Sequence, residues 1–507
     1  MRRMYSILSF SFVVFLAVVC TVFLLTGLFV GLPEGQSGWL LIWLSTVAII
    51  CFLTVILCVR SDWKVLIPFV ILIMLFGGRV CLKNSEFAYN YENISEYEEF
   101  FGYAVSYPLS MSQLQDNSFS FFLKVTKVRS GSVFVPIKPF TVQVKCFNVT
   151  KDEVLCWGNY RVVGRLKIKK SIYFMSKNSV GRLNAKSVIH VNQYLHPMLT
   201  VGKIRAKILN YLKSRLSPQS FAFVSAIFFG DRSHIEPEMM KSWRDTGLTH
   251  LLAVSGFHVG VLAMLVQFCL RRFFSRTVSS FFTLIVLIIF GLFLNASASS
   301  LRAILMYFIL VINSEMGVNC GKLHSLSVAG IILLFINPYM LYDYGFILSF
   351  CAVAAIMLFA NKIVPEKDSV TSFFYKVLSA GGVCIAAFAS TALFQCAWFG
   401  QLPLFSIITS PIVCFIFSCV FVVLLACILL ASLFPNVIVF NVIAEYFSLS
   451  FIEIVKILEN VPPLKVGEIP LYIGFILLLS AFSCVYIVIP IYSYARRKIA
   501  FNKLKNS

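Results

Sequence analysis

Acidic residues, histidines and paired cysteines are all scarce in this sequence, and each scarcity closes off a class of function. Charged residues make up 13% of the 507 positions and hydrophobic ones 59%, which excludes an ordinary soluble enzyme or binding domain. The 6 histidines are scattered, with no H-x-H or H-E-x-x-H cluster, so a hydrolytic metal site is unsupported and no cofactor is expected. None of the 15 cysteines forms a C-x-x-C pair. Most sit singly inside apolar runs (Cys20, Cys51, Cys58, Cys269, Cys351, Cys384, Cys414, Cys419, Cys427, Cys484), where they act as small hydrophobes. A phosphate-binding loop is also missing. The nearest approach, Gly317 to Gly321 and Lys322, has the wrong glycine spacing and carries Leu323 where a Mg²⁺-binding hydroxyl is needed.

What the chain does have is long apolar runs. Ile7–Val30, Trp39–Val59 and Val65–Leu82 come first, with Arg2, Arg3, Arg60 and Lys64 on the side the positive-inside rule assigns to the cytoplasm. Met1 to Val30 has a basic start like a signal peptide, but its apolar core is too long and no small-residue cleavage site follows, so it reads as a retained span. From Leu248 onward apolar segments follow in quick succession to Tyr492, including Leu248–Leu270 as one span. Leu404–Leu433 is overlong and reads as interrupted at Pro411. The pattern predicts a polytopic α-helical membrane protein of about twelve transmembrane helices. Five parts are expected: N-terminal helices over 1–82, an exported β-domain over 83–200, amphipathic interfacial helices over 201–247, a transmembrane bundle over 248–493 and a basic tail over 494–507. Residues 83–247 are exported and both termini cytoplasmic in this count.

The basic excess is concentrated. Net charge is +21, and Lys124 to Arg215 holds 19 Lys/Arg against the two acids Asp152 and Glu153, which is 19 − 2 = +17. Apolar and polar residues alternate over Phe119–Val128, Phe140–Phe147, Tyr160–Lys169 and Ser187–Val191, predicting strands. Cations and aromatics interleave there, and Lys145, Trp157, Tyr160, Arg161, Arg165, Lys167, Lys169 and Lys170 are candidates to take phosphates and stack bases. A solvated basic face or a leaflet-binding surface is the alternative. Cys146 and Cys156 are the one cysteine pair in this region, and an exported setting favours a disulfide between them, with two free thiols as the alternative. Gly202–Leu216 reads as a basic amphipathic helix with Lys203, Arg205, Lys207, Lys213 and Arg215 off its apolar face.

The densest polar stretch is Gly230–Val261, which opens an apolar run with His250, Ser255, Gly256 and His258. Polar groups at membrane depth are costly unless paired or facing a cavity, so they are functional candidates, although hydrogen bonding between helices would also hold them there. The stretch resembles the signature of the ComEC-type competence proteins: Gly230-Asp231-Arg232, then Thr246-Gly247-Leu248 with His250, then Ala253-Val254-Ser255-Gly256 with His258. Leu301-Arg302-Ala303 with Met306, and Asn337-Pro338 followed by Asp343, Gly345, Phe346, Leu348, Ser349 and Phe350, continue it in family order.

That resemblance implies an OB-like topology for the exported β-domain and a channel passing single-stranded DNA across the bacterial inner membrane during transformation, not an enzyme. Asp231, Arg232, His250, Ser255, Gly256, His258, Arg302, Asp343 and Ser349 would form its outer entrance, with Arg302 as a phosphate contact and Asp343 positioning a neighbour. A structural Arg302–Asp343 ion pair is the alternative. The expected partners are single-stranded DNA, the lipid bilayer, a separate cytoplasmic ATPase or single-strand-binding protein, and a separate nuclease. Assembly as a homo-oligomer is left open. No histidine follows His324, so the metallo-β-lactamase-type domain of many family members is not expected here. Two other readings stand beside the channel. One is an intramembrane hydrolase using Ser255 and His258; the other is a small-solute transporter with broken helices.

Overall fold

A computed structural model describes residues 18–19, 22, 63–93, 97–106, 109–110, 119–130, 133–146, 157–168, 172–191, 199–252, 254–294, 298–318, 322–363, 385–392, 394–396, 400–434, 436–459 and 463–465. Most of the expected span Ile7–Val30, all of Trp39–Val59, the last apolar segment before Tyr492 and the basic tail lie outside these residues.

The basic region folds as a closed barrel. Its strands are β1 (Glu99–Ala104), β2 (Leu109–Ser110), β3 (Phe119–Ser130), β4 (Val133–Cys146), β5 (Asn159–Ile168) and β6 (Ser179–His190). The sheet runs β1-β5-β6-β4-β3, and β1 closes it by pairing with β3 as well as β5. All pairings are antiparallel except β4 with β6, so five strands close into a barrel and β2 is a short rider on β3. The inward set from the alternating strands, Phe100, Phe121, Leu123, Val125, Val142, Val144, Tyr160, Val162 and Leu183, is the barrel core. Four strands overlap the stretches that alternation predicts, β4 starting seven and β6 eight residues earlier than expected, while β1, a run of six residues, carries too little pattern.

The remainder is helical. Helix α1 (Trp63–Asn93) runs well past the expected span and carries Phe87 into the barrel core. A short α2 (Ile172–Ser176) precedes β6, and then come α3 (Leu199–Arg215), α4 (Pro218–Phe229), α5 (Pro237–Asp245), α6 (Thr249–Leu252), α7 (Gly256–Leu270), α8 (Arg276–Phe293), α9 (Ala298–Glu315), α10 (Lys322–Ile336), α11 (Tyr344–Ile363), α12 (Ser406–Leu433) and α13 (Val439–Leu458). A 3₁₀ turn, Pro338–Tyr342, joins α10 to α11. Helices α4, α12 and α13 share a phenylalanine-rich core in which Phe228 stacks on Phe421 at 4.7 Å and Phe223 on Phe451 at 5.5 Å. Helix α4, placed by sequence in the interfacial layer, is thus buried.

Among the described residues, 2 helices are long and apolar enough to cross a membrane, Arg276–Phe293 and Ser406–Leu433, and shorter apolar helices stand beside them. Helix α12 is continuous through Pro411, contrary to the interruption expected there. Proline lies early in the helix, so little of the intrahelical hydrogen-bond ladder is lost. The expected span Leu248–Leu270 is, by contrast, broken between α6 and α7.

Side-chain donors tie the helix ends together. Arg205 is buried, not on the polar face expected for it. It donates from Nε to the Phe293 carbonyl at 3.2 Å and from Nη2 to the Phe229 carbonyl at 3.1 Å, which are the last residues of α8 and α4. Arg79 does the same for α10, reaching the Phe335 and Ile336 carbonyls at 3.0 and 3.1 Å. Each helix leaves four carbonyls without intrahelical donors, and a cation suits that negative end. Arg205→Met should therefore cost roughly 2–4 kcal/mol and lower the melting temperature of the detergent-solubilised protein. The exposed Lys203→Met and Lys207→Met on the same helix should leave it near the parent value, and equal losses from all three would contradict this role.

Candidate functional site

The barrel sits on one end of the bundle, and part of the signature is its seat. Asn337 Nδ2 donates to the Met175 and Ser176 carbonyls at 3.3 and 3.0 Å, closing the end of α2. Tyr339 is fully buried in the barrel core, edge-on to Phe87 at 5.5 Å, with its hydroxyl donating to Asn84 Oδ1. Asp343 pairs with Lys177, which follows α2, while its Oδ1 accepts the Gly345 N–H at 2.9 Å and caps α11. The alternative of an Arg302–Asp343 pair is therefore replaced by a bond between bundle and barrel. Helices α7 to α11 pack each on the next, and Arg302 near the start of α9 meets Gly256 at the start of α7 and Ser349 near the start of α11, so those starts lie together at this end.

Five signature residues converge beside that seat. Ser255 ends the break before α7 and caps it, accepting the Phe257 N–H at 3.2 Å, while His258 Nδ1 accepts the Ser255 N–H at 3.2 Å. This is a capping box with histidine in the place usually held by Glu or Gln. Its geometry disfavours the hydrolase. The His258 nitrogen facing Ser255 Oγ at 3.2 Å already accepts a backbone N–H. The ring is fully buried beside the Leu251 backbone and edge-on to Phe417 and Phe421 at 5.0 and 5.3 Å. No acid orients it among these neighbours.

Arg302, 3% exposed, lies against the same helix start. A Cβ on Gly256 would meet Arg302 Nη2 at 2.5 Å, so a larger residue there would push the guanidinium aside. Nη1 donates to the Ser349 carbonyl at 2.9 Å, the guanidinium lies over the Phe350 ring at 5.6 Å, and Nε has no partner. Among the described residues no carboxylate lies within ion-pairing distance of it.

The other three signature residues stand apart. Asp231, buried after the left-handed Gly230 cap of α4, accepts the Ser233 N–H at 3.1 Å and holds its own turn. Burial pulls the Arg232 guanidinium below its ordinary pKa, and the nearby Tyr344 opposes this. His250 is exposed, with Nδ1 at 3.0 Å from the Gly247 carbonyl and Nε2 at 3.8 Å from Cys414 Sγ. The turn before it needs glycine, since Gly247 has φ +76° and is packed on Pro403.

On the barrel, register decides which aromatic and basic residues share a surface. Phe101 on β1 lies opposite Lys127 on β3 and Arg161 on β5, and Tyr103 lies opposite Lys124 and Asn159. Trp157 stacks on Tyr103 at 6.1 Å, Lys124 Nζ lies 6.0 Å from the Tyr103 ring and Lys127 Nζ 5.8 Å from Phe101. Phe134 extends this face, 6.3 Å from Phe101 and under Arg161 at 5.6 Å. Two predicted members are elsewhere: Tyr160, 1% exposed, is barrel core, and Lys145 is buried near the end of β4. Arg161 is also paired with Glu99, which takes Arg129 at 2.8 Å. Arg165 and Lys167 are exposed on β5, and Lys169 and Lys170 lie outside the described residues. Sequence reading missed Phe101, Tyr103, Lys124, Lys127 and Phe134. Alternation over Phe119–Val128 puts Lys124 on the outward side, but the β1 partners become visible only with the register. Cys146 is a buried free thiol whose pKa burial raises to about 12; its expected partner Cys156 lies outside the described residues.

The family described as Competence protein matches residues 227–490, just over half of the chain. ComE operon protein 3 of Bacillus subtilis is 32% identical over 170 residues, covering 33% of this chain and 22% of that protein. Recombination protein 2 of Haemophilus influenzae is 28% identical over 168 residues, covering 31% and 21%. An uncharacterized protein of Aquifex aeolicus is 26% identical over 334 residues, covering 62% of this chain and 73% of its own length. The chain thus spans about a fifth of the two named relatives. No solved structure matches.

The capping assignment separates Ser255 from a nucleophile. Ser255→Ala should cost about 1 kcal/mol in melting experiments and Ser255→Asn only a few tenths, because asparagine caps as well as serine. Equal losses would contradict the cap.

Proposed function

The chain belongs to the competence protein family, whose members are membrane proteins, and from that premise we propose that it passes single-stranded DNA across the cytoplasmic membrane during transformation. The observation that carries this reading is the mixed ladder on the barrel: cations of β3 and aromatics of β1 alternate across strands, with Trp157 stacked at one edge. Such a face suits a single strand, because rings stack on bases of any sequence while cations take the phosphates between them. A closed five-stranded barrel of the OB kind is a common platform for that task.

In this reading the barrel is exported, and it delivers the strand to the end of the bundle on which it sits. Ser255, Gly256, His258, Arg302 and Ser349 line the first turn of the way in. Asp343, Asn337 and Lys177 hold the barrel over them. Inward movement of an anion against an inside-negative potential costs about 2.3 kcal/mol per charge per 100 mV. A separate cytoplasmic ATPase or strand-trapping protein therefore supplies the pull, and a separate nuclease removes the other strand.

A small-solute transporter would have no use for the ladder. The hydrolase is disfavoured because its histidine serves as a helix cap. Salt separates a phosphate binder from the rest. Binding of oligothymidylate to the full-length detergent-solubilised protein should weaken steeply with salt, and Lys124→Gln with Lys127→Gln should flatten the log–log slope by roughly 0.7 for each phosphate no longer neutralised. Tyr103→Ala or Trp157→Ala should cost about 1–3 kcal/mol with the slope kept. Salt-independent binding, or binding indifferent to all four substitutions, would sink the proposal.

A further inference from the structure

We infer that Arg302, held against the start of α7, is an anion subsite that takes one phosphate group of the passing strand, and that this structure shows it sealed. The inference deepens the entrance reading and rests on it. Two observations bear on it independently. The first is the cation: Arg302 is 3% exposed, holds a single carbonyl through Nη1 and leaves Nε without a partner. Removing a guanidinium from water costs several kcal/mol, and buried cations are ordinarily matched by a carboxylate. Arg205, the other arginine of the bundle with comparable burial, is matched instead by two helix C-terminal carbonyls, which carry negative partial charge.

The second observation is the place. Nη2 lies 2.5 Å from where a Cβ at 256 would be, against the first residue of the 15-residue helix α7. That is the positive end of the helix dipole, so cation and dipole repel one another and attract the same anion. The guanidinium fork can meet a phosphate with Nε and one terminal nitrogen, which is the geometry arginine favours for this group. Glycine at 256 permits the close approach, and the Ser349 carbonyl holds the fork until the anion arrives.

A phosphate diester reaches this spot either from the strand or from a lipid headgroup, and the experiment separates them. Full-length protein is purified in phospholipid-free detergent and melted with inorganic phosphate, with oligothymidylate, or with phosphatidylglycerol. The inference expects inorganic phosphate and oligothymidylate to raise the melting temperature by about 2 °C or more. Arg302→Gln should abolish the rise from phosphate, Gly256→Ala should diminish it, and the paired barrel variant Lys124→Gln with Lys127→Gln should keep it. Persistence of the rise in Arg302→Gln overturns the subsite. A rise with phosphatidylglycerol and none with oligothymidylate also overturns it, assigning the cation to lipid. Arg302→Gln cells distinguish the two claims. Uptake retained with the rise lost leaves the subsite standing and removes the entrance; uptake lost with the rise retained does the reverse.

Discussion

The helix carbonyls at the barrel end of the bundle need donors, and the way they find them organises the molecule. In apolar surroundings water cannot satisfy the last turn of a helix, and each orphaned group costs several kcal/mol. Arg205 closes α8 and α4 together, Arg79 closes α10, and Asn337 closes α2 from across the interface. Because each donor comes from a different element, satisfying the carbonyls also fixes where helices and barrel stand. The Lys177–Asp343 pair and the buried Tyr339 complete that seat.

Within this frame the signature residues separate by physical role. Asn337 and Asp343 join barrel to bundle. Ser255 and His258 finish a helix that begins inside an apolar run, where uncapped N–H groups would be as costly as uncapped carbonyls. Gly247 and Gly256 admit a left-handed turn and a guanidinium. Arg302 is left with a charge that no carboxylate among the described residues balances, and the proposed anion subsite rests on that. In the proposed reading the barrel ladder and this cation are two stations for one polyanion, the first half-buried and sequence-tolerant, the second single and enclosed.

Much of this was legible in the sequence. Period-two alternation located β3 and β5 and parts of β4 and β6, and the polar cluster in Gly230–Val261 drew attention to Ser255, Gly256 and His258, which the fold brings together with Arg302. What was hidden depends on register and on neighbours far along the chain. Tyr160 and Lys145 look like surface residues beside other basic positions, yet pairing turns them inward. β1 is too short to show a pattern, so Phe101 and Tyr103 went unseen although they carry the ladder. Arg205 fits a basic helical face until two distant helix ends are found beside it. The break before Gly256 was masked by the apolar residues around it, because hydropathy records composition and not whether a backbone group has a partner.

The most direct test of the central claim is the fate of labelled DNA in cells from which the gene is deleted, compared with cells complemented at matched membrane levels. The account predicts that deletion leaves bound DNA outside the cytoplasmic membrane, open to added nuclease, and that the wild-type gene restores nuclease-protected single strands in the cytoplasm. Undiminished cytoplasmic entry in the deletion strain would contradict it.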